Sequence, residues 1–124
     1  MSYAHRDLPR RLSAVGMARH WATEHCADAL SEQGQAVLEL LTSEVVANAV
    51  LHGREPLTLT VQCEPGEVTV EVTDASPDLP VLKQVAAEAT GGRGVALVDA
   101  LAQRWGAERR GQGKRTWFTV QEGP

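Results

Sequence analysis

The sequence predicts an α+β fold, a two-layer sandwich in which about three helices cover one face of a mixed, mostly antiparallel sheet. Three observations lead there. Leu57 to Asp74 reads as two alternating apolar and polar strands joined by Pro65-Gly66, which is a hairpin signature. A second alternating pair flanks Gly111-Gln112-Gly113. Elsewhere apolar residues recur at helical spacing, so helices and hairpins are segregated along the chain, and repeated hairpins require antiparallel pairing.

Tyr3 to Leu8 reads as a short opening strand, ended by Pro9. Ser13 offers an N-cap for a first helix, Ala14 to Leu30, in which Val15, Ala18, Ala22 and Ala29, with Trp21 beside them, keep helical spacing; Gly34 punctuates it. The second helix runs from Gln35 to about His52. Val37, Leu38, Leu40, Leu41, Val45, Ala49 and Leu51 form a broad apolar arc, with Gln35, Glu39, Thr42 and Ser43 opposite. Glu44, Asn48 and His52 fall within that arc. Four residues separate Glu44 from Asn48, so they lie about 40° apart around the axis and one turn apart along it. A carboxylate facing an apolar layer is costly unless something polar meets it, so this helix is expected to line a polar site under the sheet. Gly53 closes it as a C′ residue.

Leu57, Leu59, Val61 and Cys63 then share one face of a strand, and Val68, Val70 and Val72 one face of the next. Asp74 has the parity of those valines and so points to the core side, where it needs a polar partner. Pro77 and Pro80 end the strand. Val81 to Thr90 is either a loose helix or a lid that orders on binding. Gly91-Gly92-Arg93-Gly94 opens a helix that places Val95, Leu97, Val98 and Leu101 inward and ends near Gln103. In the closing hairpin, Arg104 to Arg110 and Arg115 to Gln121, the residues Thr116, Phe118 and Val120 face inward.

Composition narrows the function. With 124 residues, 43% of them hydrophobic, one domain spanning 1–124 can hide roughly two-thirds of its unfolded surface and needs no metal or staple. A net charge of −4 argues against binding duplex nucleic acid, Arg109, Arg110, Lys114 and Arg115 being a local exception. The longest stretch without a charge, Val45 to Gly53, falls far short of the about 20 apolar residues of a membrane helix. The N-terminus lacks an apolar secretion segment, so a cytoplasmic location is expected. Cys26 and Cys63 form no CxxC pair and read as buried, inert thiols. His20 and His25 diverge on a helix, and no HExxH occurs. Trp21, Trp105 and Trp117 read as packing residues, there being no basic groove for base stacking.

Three polar elements converge at the helix-sheet boundary: the Glu44/Asn48 face, Asp74, and the glycine run at a helix start. Together they suit a nucleotide. Backbone N–H groups at a glycine-rich helix start suit phosphate oxygens, and Arg93 points either to phosphate or to solvent. Magnesium keeps several waters and takes few protein oxygens, so one amide oxygen from Asn48 suffices. Glu44 is placed to orient or deprotonate an attacking hydroxyl, and Asp74 to accept the amine of adenine or simply to close an Asx-turn.

The run from Glu39 through Glu44 and Asn48 to Gly53 resembles the N box of the GHKL (Bergerat) ATP-binding fold. Asp74-Ala-Ser-Pro-Asp-Leu-Pro80 resembles its first glycine box, Gly92-Arg93-Gly94-Val-Ala-Leu-Val98 the second, and Gly113-Lys-Arg-Thr116-Trp-Phe118 the closing strand. Order and spacing are similar to the anti-sigma-factor serine kinases, especially the single-domain proteins common in actinomycetes. The resemblance implies ATP and magnesium as ligands, Glu44 as general base, Asn48 at magnesium, Asp74 at adenine, Gly92, Arg93 and Gly94 at the nucleotide, and Thr116 supporting the base through water. It also implies two partners, an anti-anti-sigma protein phosphorylated on serine and a sigma factor held away from RNA polymerase, and a possible homodimer. Ser76 and Asp78 stand where the first box carries glycines, and their side chains limit close backbone approach to the nucleotide. A non-catalytic partner-binding module on the same fold therefore remains the alternative. A sensor histidine kinase is disfavoured, because a phosphoacceptor dimerisation helix does not fit in 124 residues.

Overall fold

A computed structural model describes residues 2–77, 102 and 104–122. The predicted loop and lid, Gly92, Arg93, Gly94 and the helix they open lie outside the described residues. What is described is an α+β arrangement, a five-stranded sheet whose described pairs are all antiparallel, with two helices. The elements are β1 (Ser2–Leu8), α1 (Ser13–His25), α2 (Glu32–His52), β2 (Leu57–Glu64), β3 (Glu67–Asp74), β4 (Arg104–Arg110) and β5 (Gly113–Gln121). The strand order is β1-β2-β3-β5-β4. No described helix is long and apolar enough to cross a membrane.

The alternating strands are as the pattern requires. Leu57, Leu59, Val61 and Cys63 of β2 and Val68, Val70 and Val72 of β3 are buried on the helix-facing side. Gly66 has φ +82° and Gly111 φ +61°, the left-handed values that a two-residue hairpin turn requires of one residue. In β5, Phe118 and Val120 are buried inward as expected. Thr119 is buried too, on the opposite face, where its hydroxyl meets that of Thr69 at 2.9 Å.

The helices depart from expectation in five places. First, α1 has Leu12, not Ser13, at its N-cap and no side-chain cap. Second, it stops at His25 instead of reaching Leu30, and the carbonyls just beyond it are satisfied by the Gln35 side chain, which donates to Cys26 O at 2.6 Å and Ala27 O at 3.2 Å. Third, α2 begins at Glu32, and Gly34 lies inside its first turn rather than ending α1. Its cap is Ser31, whose hydroxyl accepts from Gly34 N–H. Ser31 also donates from its hydroxyl and backbone N–H to Glu122 beyond β5; these bonds, the hydroxyl's first, hold the Glu122 carboxyl below the usual carboxylate range against a weaker desolvation. Fourth, Gly53 is the C-cap in extended backbone, φ −90°, not a left-handed C′ residue. Fifth, Thr42 is fully buried, not on the polar face.

Among the described residues, Thr42 Oγ1 has no hydrogen-bond partner. Replacing an orphaned buried hydroxyl with a methyl of the same shape removes its desolvation cost. Thr42→Val is therefore expected to raise the unfolding free energy by about 1 kcal/mol, read from urea denaturation midpoints at unchanged m-value.

Cys26 and Cys63 are not free thiols. They form a disulfide, Cα–Cα 5.8 Å, joining the C-cap of α1 to the end of β2. The pairing is tertiary, which is why no local motif announces it. Nor is the Arg109–Arg115 region a free basic patch. Arg110 and Arg115 both bond Glu71 at 2.7 Å, Arg115 also reaches Glu108 at 2.9 Å, and its guanidinium lies 5.3 Å from the Trp117 ring. Trp21 and Trp105 pack against the core, in keeping with a packing role.

Candidate functional site

α2 lies over β3 and β5 and carries the acid and amide. Its buried face is formed by Leu38, Leu41, Thr42, Val45, Val46, Ala49 and Val50. Glu44 and Asn48 are half-buried, and His52 is exposed. The expectation that all three sit within the apolar arc is thus corrected: the arc is rotated toward Thr42 and Val46, and Glu44 and Asn48 occupy its margin. That placement removes the need for a polar layer beneath the sheet at these residues. It leaves both side chains on one flank, able to meet a ligand from outside. Glu44 edges an open hollow of 440 Å³ with Arg19, Glu39 and Ser43, in which Arg19 Nε stands 3.6 Å from Glu39.

Asp74 does point to the core side, with its side chain 1% exposed. Its polar partners are two. Oδ1 accepts the Ser76 backbone N–H at 2.7 Å, an Asx-turn, and Oδ2 faces Lys114 Nζ at 3.6 Å. Lys114 stands opposite Asp74 in the β3–β5 register and is itself buried. Sequence reasoning missed it, since a lysine in an arginine-rich run reads as surface; its parity with Thr116 and Phe118 was the available signal.

Two glycines make room for Asp74, Gly53 beside its carboxylate and Gly113 beside its backbone. A Cβ on Gly53 would come within 2.8 Å of Asp74 Cγ, and a Cβ on Gly113 would overlap the Asp74 carbonyl oxygen. Ala75 N–H further donates to Arg54 O at 2.9 Å, tying the end of β3 to the residue after Gly53. Asp74 is thereby fixed at the C-terminal end of α2. From Gly53, Asn48 lies about 8 Å back along the helix axis and Glu44 about 14 Å back. Thr116, half-buried and paired with Val72, is two residues along β5 from Lys114 on the same face. The structure so brings Asp74, Lys114 and Thr116 together at one end, with Asn48 and Glu44 in sequence along the helix flank. Among the described residues, no cluster of His, Cys, Asp and Glu forms a metal site of three or more ligands.

The architecture is that of a GHKL-like ATPase sandwich. Residues 8–120 match the histidine kinase-like ATPase domain, and the chain belongs to that family. Over 59 residues it is 46% identical to an uncharacterized protein of Streptomyces coelicolor, the match covering 45% of this chain and 56% of that one. Among solved structures, it is similar to the RsbU and RsbW domains of Rv1364c from Mycobacterium tuberculosis, with TM-score 0.73 and 20% identity over 98% of this chain and 32% of that one. It is also similar to the histidine kinase domain of the Erythrobacter litoralis EL346 blue-light activated histidine kinase, with TM-score 0.56 and 19% identity over 89% of this chain and 60% of that one. At such identities the likeness is one of fold. The chain spans little more than half of the curated relative it matches.

Proposed function

We propose that this domain binds ATP with magnesium and acts as a protein serine kinase of the partner-switching type, phosphorylating an anti-anti-sigma protein and, in its other partner state, holding a sigma factor. We place it in the cytoplasm as a single domain, with a homodimer as its candidate assembly. One observation supports the reading: Asp74, at the end of β3 beside the C-terminal end of α2, is followed back along the flank of α2 by Asn48 and then Glu44, an order that suits base, metal and acceptor hydroxyl.

In this reading Asp74 accepts the amine of adenine, with Thr116 supporting the base and Gly92, Arg93 and Gly94 at the phosphates. Asn48 offers a hard amide oxygen on a half-open flank, a donor suited to a cation that keeps most of its water. Magnesium, when bound, would neutralise charge on the β- and γ-phosphate oxygens. Glu44 orients the partner's serine and takes its proton as the serine oxygen bonds to the γ-phosphorus and the bond to ADP breaks.

The test is phosphoryl transfer from radiolabelled ATP to the cognate anti-anti-sigma partner. Glu44→Ala is expected to lower the transfer rate by about 100-fold or more while nucleotide binding survives. Transfer persisting in that variant removes Glu44 from the base role. A specific observation favours the second reading, a partner-binding module without catalysis. Ser76, at a glycine position of the first box, is buried and closes an Asx-turn on Asp74. Calorimetry showing no ATP binding at millimolar concentration, with partner present, supports that alternative.

A further inference from the structure

The Cys26–Cys63 bond is not sealed inside the domain. Cys26 and Cys63 are only 2% and 5% exposed, yet both form part of the wall of an open hollow of 310 Å³, where α1 passes into its connector and β2 into its hairpin turn. A small thiol entering there comes up against the cystine. The rim carries the exposed acids Glu24, Asp28 and Glu64, together with His25, whose Nε2 meets the Ser2 hydroxyl at 2.9 Å. Among the described residues, no lysine or arginine lines it. Cys26 is also the C-cap of α1, at the negative end of the helix dipole, the opposite of the helix N-terminus that favours a thiolate. An attacking thiolate therefore meets negative charge on its way in.

We propose that Cys26–Cys63 is a thiol–disulfide exchange site that opens in the folded domain, entered through this hollow and selective for neutral or cationic thiols over anionic ones. It stands apart from the nucleotide-binding reading and does not rest on it. The incoming thiolate bonds to one cysteine sulfur as the Cys26–Cys63 bond breaks, and the other cysteine leaves as a thiolate that takes a proton from water. A second thiol, or the other arm of a dithiol, then displaces the first, leaving two protein thiols and an oxidised reductant. The output is stability, because the cross-link constrains the unfolded chain and its loss loosens the hold on the folded state. In the cytoplasm proposed above, an exchangeable bond of this kind serves as a sensor, the role that disulfides usually have in reducing compartments.

The experiment follows reduction of the oxidised full chain at low salt, by mass after acid quench, with excess cysteamine, 2-mercaptoethanol or 3-mercaptopropionate. Rates are expressed per thiolate, so that differences in thiol acidity drop out. The rate is expected to rise in proportion to thiol concentration and to change little in about 1 M urea, whereas a route through global unfolding would speed up by about 5-fold or more. The ratio of cysteamine to 3-mercaptopropionate rates is expected to fall at least about 3-fold in Glu24→Gln/Asp28→Asn/Glu64→Gln, and likewise in the unaltered chain at about 1 M ionic strength. The salt arm needs no variant, so the test survives a triple substitution that folds poorly. Reduction that waits on unfolding by urea, a rate indifferent to thiol concentration, or a ratio unmoved by salt in the unaltered chain overturns the proposal and leaves the bond a passive staple.

Discussion

Reducing Cys26–Cys63 is expected to lower the unfolding free energy by about 4 kcal/mol, and the melting temperature by about 10–20 °C for a chain of this length. The estimate comes from the 37-residue separation between the cysteines, whose cross-link removes loop-closure freedom from the unfolded ensemble. The folded state has little to lose on reduction. Both cysteines are buried, and the connector between α1 and α2 keeps other anchors: Gly66 N–H donates to Ala29 O at 2.7 Å, and Ser31 is bonded to Glu122. Melting followed by circular dichroism with and without a phosphine reductant checks this, with Cys26→Ala/Cys63→Ala expected to melt near the reduced protein. A melting curve indifferent to reductant, with no mass gain on reduction, shows that the thiols are unpaired. The bond lies at the end of the domain away from Asp74, joining the C-terminus of α1 to the end of β2, so ATP affinity measured well below the melting transition is expected to change little.

What the sequence revealed and what it concealed divide along one physical line. β2 and β3 were legible because alternation is local: Leu57, Leu59 and Val61 declare their face whatever lies elsewhere. The spacing of Glu44 and Asn48 was legible for the same reason, and so was the inward parity of Asp74. Features made by residues distant in the chain were not. Gln35 of the next helix satisfies the carbonyls that follow α1, and the Asp74–Lys114 register places a lysine in the interior. Cys26 meets Cys63 only after β2 has packed beneath the helix connector. Thr42 misled because its polarity was taken to set its face, whereas the rotation of α2 is set by where β3 and β5 accept Leu38, Leu41 and Val46. Glycine also carried two meanings that residue type cannot separate, backbone handedness and lack of room.

Gly113→Ala separates those meanings and is expected to cost about 3 kcal/mol, the upper end of the overpacking range. Gly111, two residues earlier, is the control. Gly111 has a left-handed φ of +61° and open space around it, so Gly111→Ala is expected to cost only about 1 kcal/mol of backbone strain. Gly113 has no such φ, but an added Cβ there meets the carbonyl oxygen of Asp74 and the Cα of Ala75, backbone atoms rather than the end of a yielding side chain. Relief requires the end of β3 to move away from β5, which pulls Asp74 from Lys114 and loosens the Ala75–Arg54 bond. Two readouts should therefore move together in Gly113→Ala: the urea midpoint, and nucleotide affinity measured under conditions where the variant is still folded. In Gly111→Ala the midpoint alone should fall, because an added Cβ there meets nothing within 4 Å. Equal, mild losses in the two variants would show that β3 and β5 have slack beside Asp74, and the fixed position of the carboxylate, on which its pairing with Lys114 depends, would have to be abandoned.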